Sequence, residues 1–188
     1  MAENAAFVAG DAAAAAGPVV LRAPTADDLT ALSVLGIAAF VHKFADLYRP
    51  QDLLPFLTET YTEAALAPEI ADPAKLYRVA EQDGVLVGWC KVGLTCGFPD
   101  HARGRRVMEL KQLYTAPRAT GQGLGRQLMD WAMGEFAARG ADEVQISVWS
   151  GNPGAQRFYQ RYGFAKVADI TFRVGSQLDD EFLFARML

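Results

Sequence analysis

The stretch of residues 109–164 constrains the fold more than any other part of the sequence. It runs from a strand-like segment at 108–115, through a glycine-rich turn, into apolar positions at helical spacing. Alternating apolar residues at 144–148 then predict a second strand, and 153–162 predict a second helix that ends at Gly163, a residue suited to a left-handed cap. The order strand, turn, helix, strand, helix predicts an α/β fold.

The glycine-rich turn reads Thr120-Gly121-Gln122-Gly123-Leu124-Gly125-Arg126 and opens a predicted helix. Glycines let the backbone approach a ligand closely, and the unpaired N–H groups of a first helical turn favour phosphate. A Walker A loop is excluded, because Arg126 and Gln127 stand where lysine and serine or threonine are needed. A dinucleotide fingerprint is excluded, because the glycines run G-x-G-x-G and no acidic residue follows at the required place. A plain helix-entry turn without a ligand stays open.

Together these segments resemble the GNAT superfamily of acetyl-CoA-dependent N-acetyltransferases. The family signature Q/R-x-x-G-x-G/A lies over residues 120–125, with its small residues at Gly123 and Gly125. Thr120 stands where the family usually has Gln or Arg, which affects one polar contact but leaves the backbone cradle intact. The second signature, N-x-x-A-x-x-F-Y-x-x-x-G-F, is matched at Asn152, Ala155, Phe158, Tyr159, Gly163 and Phe164.

The resemblance implies a mixed α/β fold. Its sheet would be mostly antiparallel, with about seven strands, splayed between the fourth and fifth and flanked by about four helices. A single domain is expected over residues 18–188, after an alanine-rich tail at 1–17. Asp83-Gly84 predicts a two-residue hairpin turn, and residues 95–106 predict an exposed loop. Prolines are expected to divide the helical region 51–70 into short pieces.

Composition narrows the classes of function. The net charge of −4 argues against a nucleic-acid-binding protein. Cys90 and Cys96 have no matching pair, so neither a zinc site nor a disulfide framework is expected, and no metal is predicted. The alanine-rich start lacks a basic segment, and no apolar run approaches the ~18–20 residues that span a bilayer. An enzyme of the reducing cytoplasm, away from membranes, is expected.

Two residues are candidates for proton transfer. An ammonium with a pKa near ~10.4 must lose a proton before its nitrogen attacks a thioester. The resemblance implies Glu109 as the general base, directly or through water; a carboxylate that merely attracts a cation is the alternative. Strand alternation predicts Glu109, Lys111, Leu113 and Thr115 on one face. The resemblance implies that Tyr159 protonates the departing thiolate or contacts its sulfur; an aromatic that packs the helix onto the sheet is the alternative.

The resemblance also implies how acetyl-CoA would bind. The pantetheine arm pairs with the backbone of the fourth strand, where an N–H meets the thioester oxygen. The glycine turn cradles the diphosphate, flanked by Arg118 and Arg126, which read equally well as solvated helix-end charges. Asn152 would touch the pantetheine, although Asn before Pro is also an ordinary helix start. The expected coenzyme contacts are Leu113, Tyr114, Thr115, Gly121, Gln122, Gly123, Leu124, Gly125, Arg126 and Asn152.

Substrate selection is expected in the helical region 40–62 and the loop 95–106. Aromatic residues there would wall an amine site or belong to the core: Phe40, Phe44, Tyr48 and Tyr61. Carboxylates would favour a cation if they converge: Glu59, Glu63, Asp100 and Glu109.

The predicted reaction is acetyl transfer from acetyl-CoA to a primary amine by direct attack. Residues 109–114 and 171–175 look similar to bacterial polyamine acetyltransferases, so a small amine or polyamine is the expected acceptor. Protein or peptide N-acetylation and a non-catalytic acetyl-CoA-binding sensor module are the alternatives. Dimers are common in similar enzymes, so the resemblance leaves a homodimer open.

Overall fold

The computed structural model describes residues 17–119 and 123–188, with only the backbone of residue 118. Within these residues the chain forms seven strands and five α-helices. The strands are β1 (Val20–Arg22), β2 (Lys75–Gln82), β3 (Val85–Gly93), β4 (Val107–Thr115), β5 (Glu143–Trp149), β6 (Ala165–Val174) and β7 (Gln177–Met187). The helices are α1 (Leu29–Phe44), α2 (Pro50–Tyr61), α3 (Glu63–Ala71), α4 (Leu124–Ala138) and α5 (Pro153–Arg161). The predicted tail lies outside the described residues except for Gly17.

All seven strands form one sheet in the order β1-β2-β3-β4-β5-β7-β6. The β4–β5 pair is parallel and every other pair is antiparallel. Strands β4 and β5 pair only over Val107–Glu109 and Glu143–Gln145, although both strands continue further. The sheet therefore opens between its fourth and fifth strands, as predicted.

A β-bulge shifts the register of β4 against β3. Gln112 pairs with Lys91 and Leu110 pairs with Val92, which leaves Lys111 as the extra residue. A bulge interrupts the strict alternation of side chains between the two faces of a sheet. The prediction that residues 109, 111, 113 and 115 share one face is wrong for this reason.

Helices cover the two faces of the sheet. At β3, a Cβ on Gly88 would lie 3.2 Å from a methyl of Leu124 in α4. The next residue, Trp89, points the other way and its ring meets Tyr61 of α2 edge-on at 6.4 Å. Thus α4 covers one face, while α1 and α2 cover the other, and the gap between β4 and β5 lies between these layers.

The helical region before β2 is broken differently from the prediction. Pro50 begins α2, but Pro55 and Pro68 lie inside helices. The break falls at Thr62, which has an extended backbone and whose side chain accepts a hydrogen bond from the N–H of Ala65. Thr62 is therefore an N-cap, and the region forms two helices, which gives five helices rather than about four.

One helical stretch, Ala26–Leu47, is long and apolar enough by length and composition to cross a membrane. The expectation that no apolar stretch reaches this length is wrong by that measure. Buried side chains of α1, including Leu32, Leu35 and Phe40, nevertheless join the hydrophobic core. Core helices of folded proteins pass the same test, so this helix is weak evidence for a membrane span.

Candidate functional site

A cleft of about 820 Å³ lies where β4 and β5 separate. Its walls come from β4, the start of α4, α5 and the end of α1. It collects residues that are far apart in sequence: His42, Lys43, Phe44, Leu113, Tyr114, Thr115, Gly123, Gly125, Arg126, Asn152, Phe158, Tyr159 and Arg161 among others. Most of the predicted coenzyme contacts are therefore brought together.

Leu113, Tyr114 and Thr115 supply an exposed strand edge to this cleft. These residues pair with β3 on one side, but the pairing with β5 on the other side stops at Glu109. An unpaired strand edge offers backbone N–H and C=O groups to an extended ligand. The edge thus fits the predicted role of binding an extended arm and an oxyanion.

The N-terminus of α4 faces the same cleft. Gly123 precedes the helix with φ 79°, in the left-handed region that favours glycine, and among the described residues no side chain caps the helix. No side chain in the described part of the chain thus caps the N–H groups of the first turn, which suits an anion site. Thr120, Gly121 and Gln122 lie outside the described residues, so their predicted contacts stay predictions.

The side chain of Leu124 does not reach the cleft. It is 2% exposed and packs in the core near Gly88. Leu124 can meet a ligand only through its backbone N–H, whereas Gly125 lines the cleft directly. A Cβ on Gly125 would meet Leu113 and Phe158 only at 3.8–4.0 Å, which is ordinary van der Waals contact. That fits the family signature, which accepts alanine at this position.

Basic side chains surround the cleft. Arg126 is exposed and its guanidinium lies 3.5 Å from the carboxylate of Asp130 in the next turn. Lys43 and His42, at the end of α1, and Arg161, at the end of α5, also line the cleft. Sequence reasoning missed these last three, because only the fold brings the ends of α1 and α5 to the cleft that Gly123 and Gly125 line. The side chain of Arg118 lies outside the described atoms.

Asn152 has a structural role at the cleft. Its Oδ1 accepts a hydrogen bond from the N–H of Ala155 at 3.2 Å, which makes Asn152 the N-cap of α5. The residue also lines the cleft. The structure thus shows the helix-start role, while the predicted ligand contact stays a prediction.

Tyr159 lies at the inner wall of the cleft and is 6% exposed. Burial raises the pKa of its phenol, and the neighbouring Cys90 and Tyr114 add to this rise. The phenol therefore stays protonated at neutral pH and keeps a hydrogen to donate. Its ring also meets Phe158 and Phe164 edge-on, so the residue has a packing role, while its predicted proton donation stays a prediction.

A second cavity of about 430 Å³ lies on the α1–α2 side of the gap. Nine aromatic residues line it: Phe40, Phe44, Tyr48, Phe56, Tyr61, Phe98, Tyr114, Trp149 and Phe172. Its charged lining residues are Lys91, Glu109, Lys111, Asp179 and Glu181. We call it the aromatic pocket. Phe44 and Tyr114 line both this pocket and the cleft, so the two cavities adjoin.

The predicted substrate walls are partly right. Phe40, Phe44, Tyr48 and Tyr61 all line the aromatic pocket. Glu59, Glu63 and Asp100 do not line it. Of the four carboxylates predicted to converge, only Glu109 lies in the pocket. Trp149, Phe172, Asp179 and Glu181 were missed, because strand alternation in β5, β6 and β7 does not show which face meets a ligand.

Glu109 sits in the aromatic pocket with one carboxylate oxygen already engaged. Its Oε2 accepts hydrogen bonds from the N–H of Gly97 and from the ammonium of Lys111, each at 2.7 Å. The residue is 7% exposed. The position fits an active-site carboxylate, but the ion pair with Lys111 and the hydrogen bond from Gly97 already occupy this oxygen.

Metal ligands do not cluster in the described part of the chain. Within residues 17–119 and 123–188, no three His, Cys, Asp or Glu side chains form a group that could hold a metal ion.

Comparison with known proteins agrees with this architecture. The model of the acetyltransferase (GNAT) family matches residues 41–164, well over half of the chain. An uncharacterized N-acetyltransferase of Lactobacillus delbrueckii subsp. lactis is 26% identical over 165 residues, which cover 86% of this chain and 92% of that protein. An uncharacterized N-acetyltransferase of Mycobacterium bovis is 30% identical over 140 residues, which cover 74% of this chain and 84% of that protein.

The fold is also shared with a solved structure. The PaiA N-acetyltransferase from Thermoplasma acidophilum, crystallised in complex with coenzyme A, has a TM-score of 0.73 and 19% identity. The match covers 91% of this chain and 99% of that one. The family match, the N-acetyltransferase relatives and the shared fold lead to one conclusion: this chain belongs to the GNAT family and is a GNAT-type N-acetyltransferase.

Proposed function

We propose that this enzyme binds acetyl-CoA in the cleft and transfers the acetyl group to a small primary amine held in the aromatic pocket. One observation carries the proposal: the two cavities adjoin at Phe44 and Tyr114, where β4 and β5 part. A thioester lying along the β4 edge and an amine in the pocket can therefore meet at this gap. Direct attack needs both substrates to be bound at the same time, with the amine nitrogen beside the thioester carbon.

The cleft supports the coenzyme side of the proposal. Diphosphate suits the start of α4, and the basic residues Lys43, Arg126 and Arg161 suit the remaining phosphate charge. The pantetheine arm suits the free edge of residues 113–115, where a backbone N–H would stabilise the developing oxyanion. The solved relative with coenzyme A bound shares this fold.

The aromatic pocket supports the acceptor side. Aromatic faces attract an ammonium and also pack against an apolar body. The two lysines of the pocket are paired with Glu69 and Glu109. Among the described residues, Asp179 and Glu181 have no cationic partner. The pocket thus favours a compact amine with an apolar body, and a polyamine remains a candidate acceptor.

Tyr159 completes the proposed reaction. The amine nitrogen attacks the carbonyl carbon, and the resulting tetrahedral intermediate expels coenzyme A as a thiolate. The protonated phenol of Tyr159, which lines the cleft beside Tyr114 and Thr115, would donate its proton to that sulfur. It would then recover a proton from the new amide nitrogen.

The test is coenzyme A release from acetyl-CoA with a panel of amines. The panel contains an arylalkylamine, spermidine, spermine, a lysine peptide and free α-amines. We expect turnover with the small amines, and turnover restricted to peptides would move the assignment to protein acetylation. If no amine reacts while calorimetry shows acetyl-CoA binding, the sensor alternative replaces the enzyme reading of this site.

We also propose the reducing cytoplasm as the place of action. Both cysteines are free thiols, and Cys90 is buried. Unpaired thiols suit a reducing compartment. Fractionation of the native cell tests this directly, and recovery of the protein in a membrane or secreted fraction would contradict it.

A further inference from the structure

One carboxylate oxygen in the aromatic pocket has no hydrogen-bond partner within the described part of the chain. Glu181, on β7, lines this pocket, and its Oε2 is buried without a hydrogen-bond partner among the described residues. An unpartnered buried carboxylate oxygen is costly, so such a group commonly marks a function. The established family membership assigns no role to this residue.

From this placement we infer that Glu181 receives the proton of the incoming ammonium, in place of Glu109. This inference rests on the proposed function, because it names a residue for the same reaction.

The surroundings of Glu181 explain why it can accept a proton. Burial raises the pKa of its carboxyl to about 7, and the like charge of Asp179, two residues earlier on the same face of β7, adds to the rise. A base whose pKa lies near neutral pH is matched to proton transfer there. Glu109 differs, because its Oε2 already accepts hydrogen bonds from the ammonium of Lys111 and from the N–H of Gly97.

Hydrogen bonds hold Asp179 in place as the negatively charged neighbour of Glu181. Its two oxygens accept hydrogen bonds from the hydroxyl of Tyr48 and from the side-chain amide of Gln177. Both carboxylate oxygens of Asp179 are thus hydrogen-bonded, while Glu181 faces the cavity with its Oε2 unpaired among the described residues. This division makes Asp179 a positioning residue and Glu181 the residue that meets the substrate.

The other groups around Glu181 do not neutralise it. Its cross-strand neighbours are Trp149 on β5 and Ile170 on β6, neither of which carries a charge. Tyr48 and Tyr114 face it as neutral phenols whose pKa values are raised by burial. The cations nearby are engaged elsewhere: Lys91 with Glu69, Lys111 with Glu109, and Lys43 on the ring of Trp149 at 6.0 Å.

The step balances as follows. One N–H bond of the ammonium breaks, and its proton moves to the Glu181 carboxylate, leaving a lone pair on nitrogen. That pair forms the C–N bond to the acetyl carbon, and the C–S bond breaks as the thiolate leaves. The thiolate takes the phenolic proton of Tyr159, and the resulting phenolate takes the second proton from the nitrogen, which leaves a neutral amide and a neutral Tyr159. Glu181 later releases its proton to water.

The experiment compares Glu181→Gln with Asp180→Asn, using the amine that the wild type acetylates best. Asp180 is exposed on the opposite face of the same strand, so its variant removes a neighbouring carboxylate outside the pocket. We expect Glu181→Gln to lower kcat about 100-fold, with little change in the KM for amine. Its kcat/KM profile should lose the fall below pH 7, which Asp180→Asn retains.

Two results would overturn the inference. In one, Glu181→Gln keeps the wild-type kcat and only raises the KM for amine, which means that the residue merely attracts a cation. In the other, the fall below pH 7 survives in Glu181→Gln and disappears in Glu109→Gln.

An infrared titration tests the inference without turnover. A carboxyl band that ionises near pH 7 should appear in the wild-type protein and be missing from Glu181→Gln. Absence of that band from the wild type overturns the inference even if no amine is acetylated. Failure of the proposed function, by contrast, shows as a wild type without turnover on any amine.

Discussion

The two cavities beside the gap between β4 and β5 are built in different ways. The cleft uses backbone groups: the free edge of residues 113–115 and the first turn of α4 after Gly123. The aromatic pocket uses side chains from α1, α2, β3, β4, β5, β6 and β7. A site made of backbone suits a ligand that every family member shares. A site made of side chains can change its specificity without altering the fold.

This comparison predicts that cleft variants and pocket variants separate cleanly in kinetics. Variants of the cleft should change coenzyme binding or the chemical step. Variants of the pocket should change the KM for amine or, at Glu181, kcat, and should leave coenzyme binding untouched.

The largest effect is expected for Tyr159→Phe, which removes one hydroxyl and keeps the buried ring. We expect kcat to fall about 100-fold or more, because the thiolate loses its proton donor. Acetyl-CoA binding, measured by calorimetry, should be nearly unchanged.

Tyr162→Phe is the matched control for this variant. It lies on the same helical segment but its hydroxyl donates to the carboxylate of Asp130, away from the cleft. Wild-type kcat in both variants would remove Tyr159 from the proposed acid role.

A smaller effect is expected for Gly123→Ala. Its φ of 79° strains any side-chain-bearing residue, although the added Cβ would have no heavy atom within 4 Å. The start of α4 should shift, and the Kd for coenzyme A should rise about fivefold, which corresponds to ~1 kcal/mol.

Gly84→Ala supplies the control for backbone strain. Gly84 has φ 75° in the β2–β3 hairpin and equally open space around its Cα. Its variant should lose similar stability and bind coenzyme A normally. Equal Kd values for both variants would show that the turn before α4 does not hold the coenzyme.

The pocket carboxylate predicts a pH-dependent stability. The pKa of Glu181 rises from 4.5 to about 7 on folding, so between these values the folded state holds the proton more tightly. The free energy of unfolding contributed by this residue therefore falls as pH rises from about 4.5 to 7.

Glu181→Gln should remove this loss of stability at higher pH. Because solvent partly screens the side chain, we expect the free energy of unfolding to rise by ~1 kcal/mol at pH 8 and to stay unchanged at pH 4, as measured by urea denaturation. Asp180→Asn should show no such difference. A Glu181→Gln protein that is equally stable relative to wild type at both pH values would contradict the raised pKa.

The smallest effect is expected for Phe172→Ala. Phe172 is 39% exposed and closes one side of the aromatic pocket, where its ring meets Phe56 edge-on at 5.9 Å. We expect the KM for amine to rise about threefold through lost apolar contact, with an unchanged KM for acetyl-CoA. Leu178→Ala, at a 52% exposed residue outside the pocket, should change neither constant. A rise in the acetyl-CoA KM alone would break the division between the two cavities.

The sequence predicted the cleft better than the pocket, for a physical reason. Gly123, Gly125 and Asn152 act through local backbone geometry, and such geometry requires particular residues at fixed spacing. The hairpin at Asp83-Gly84 was predicted on the same grounds, and both residues have positive φ. Local constraints of this kind can be read directly from the chain.

The pocket depends on long-range placement, which spacing does not encode. Glu181 and Phe172 meet Phe56 and Tyr114 only because β6 and β7 fold back beside β5. The bulge at Lys111 has no local marker such as glycine, and it separates the faces of Glu109 and Leu113. The predicted breaks at prolines were wrong, because Pro55 and Pro68 lie inside helices. The break falls at Thr62, which caps α3.

The most direct test of the account is an initial-velocity study in which acetyl-CoA and the preferred amine are varied together. Two adjoining cavities, both filled before attack, predict intersecting lines in double-reciprocal plots and no acetylated enzyme on a mass spectrum. Parallel lines with a trapped acetyl-enzyme would contradict direct attack across the gap between β4 and β5.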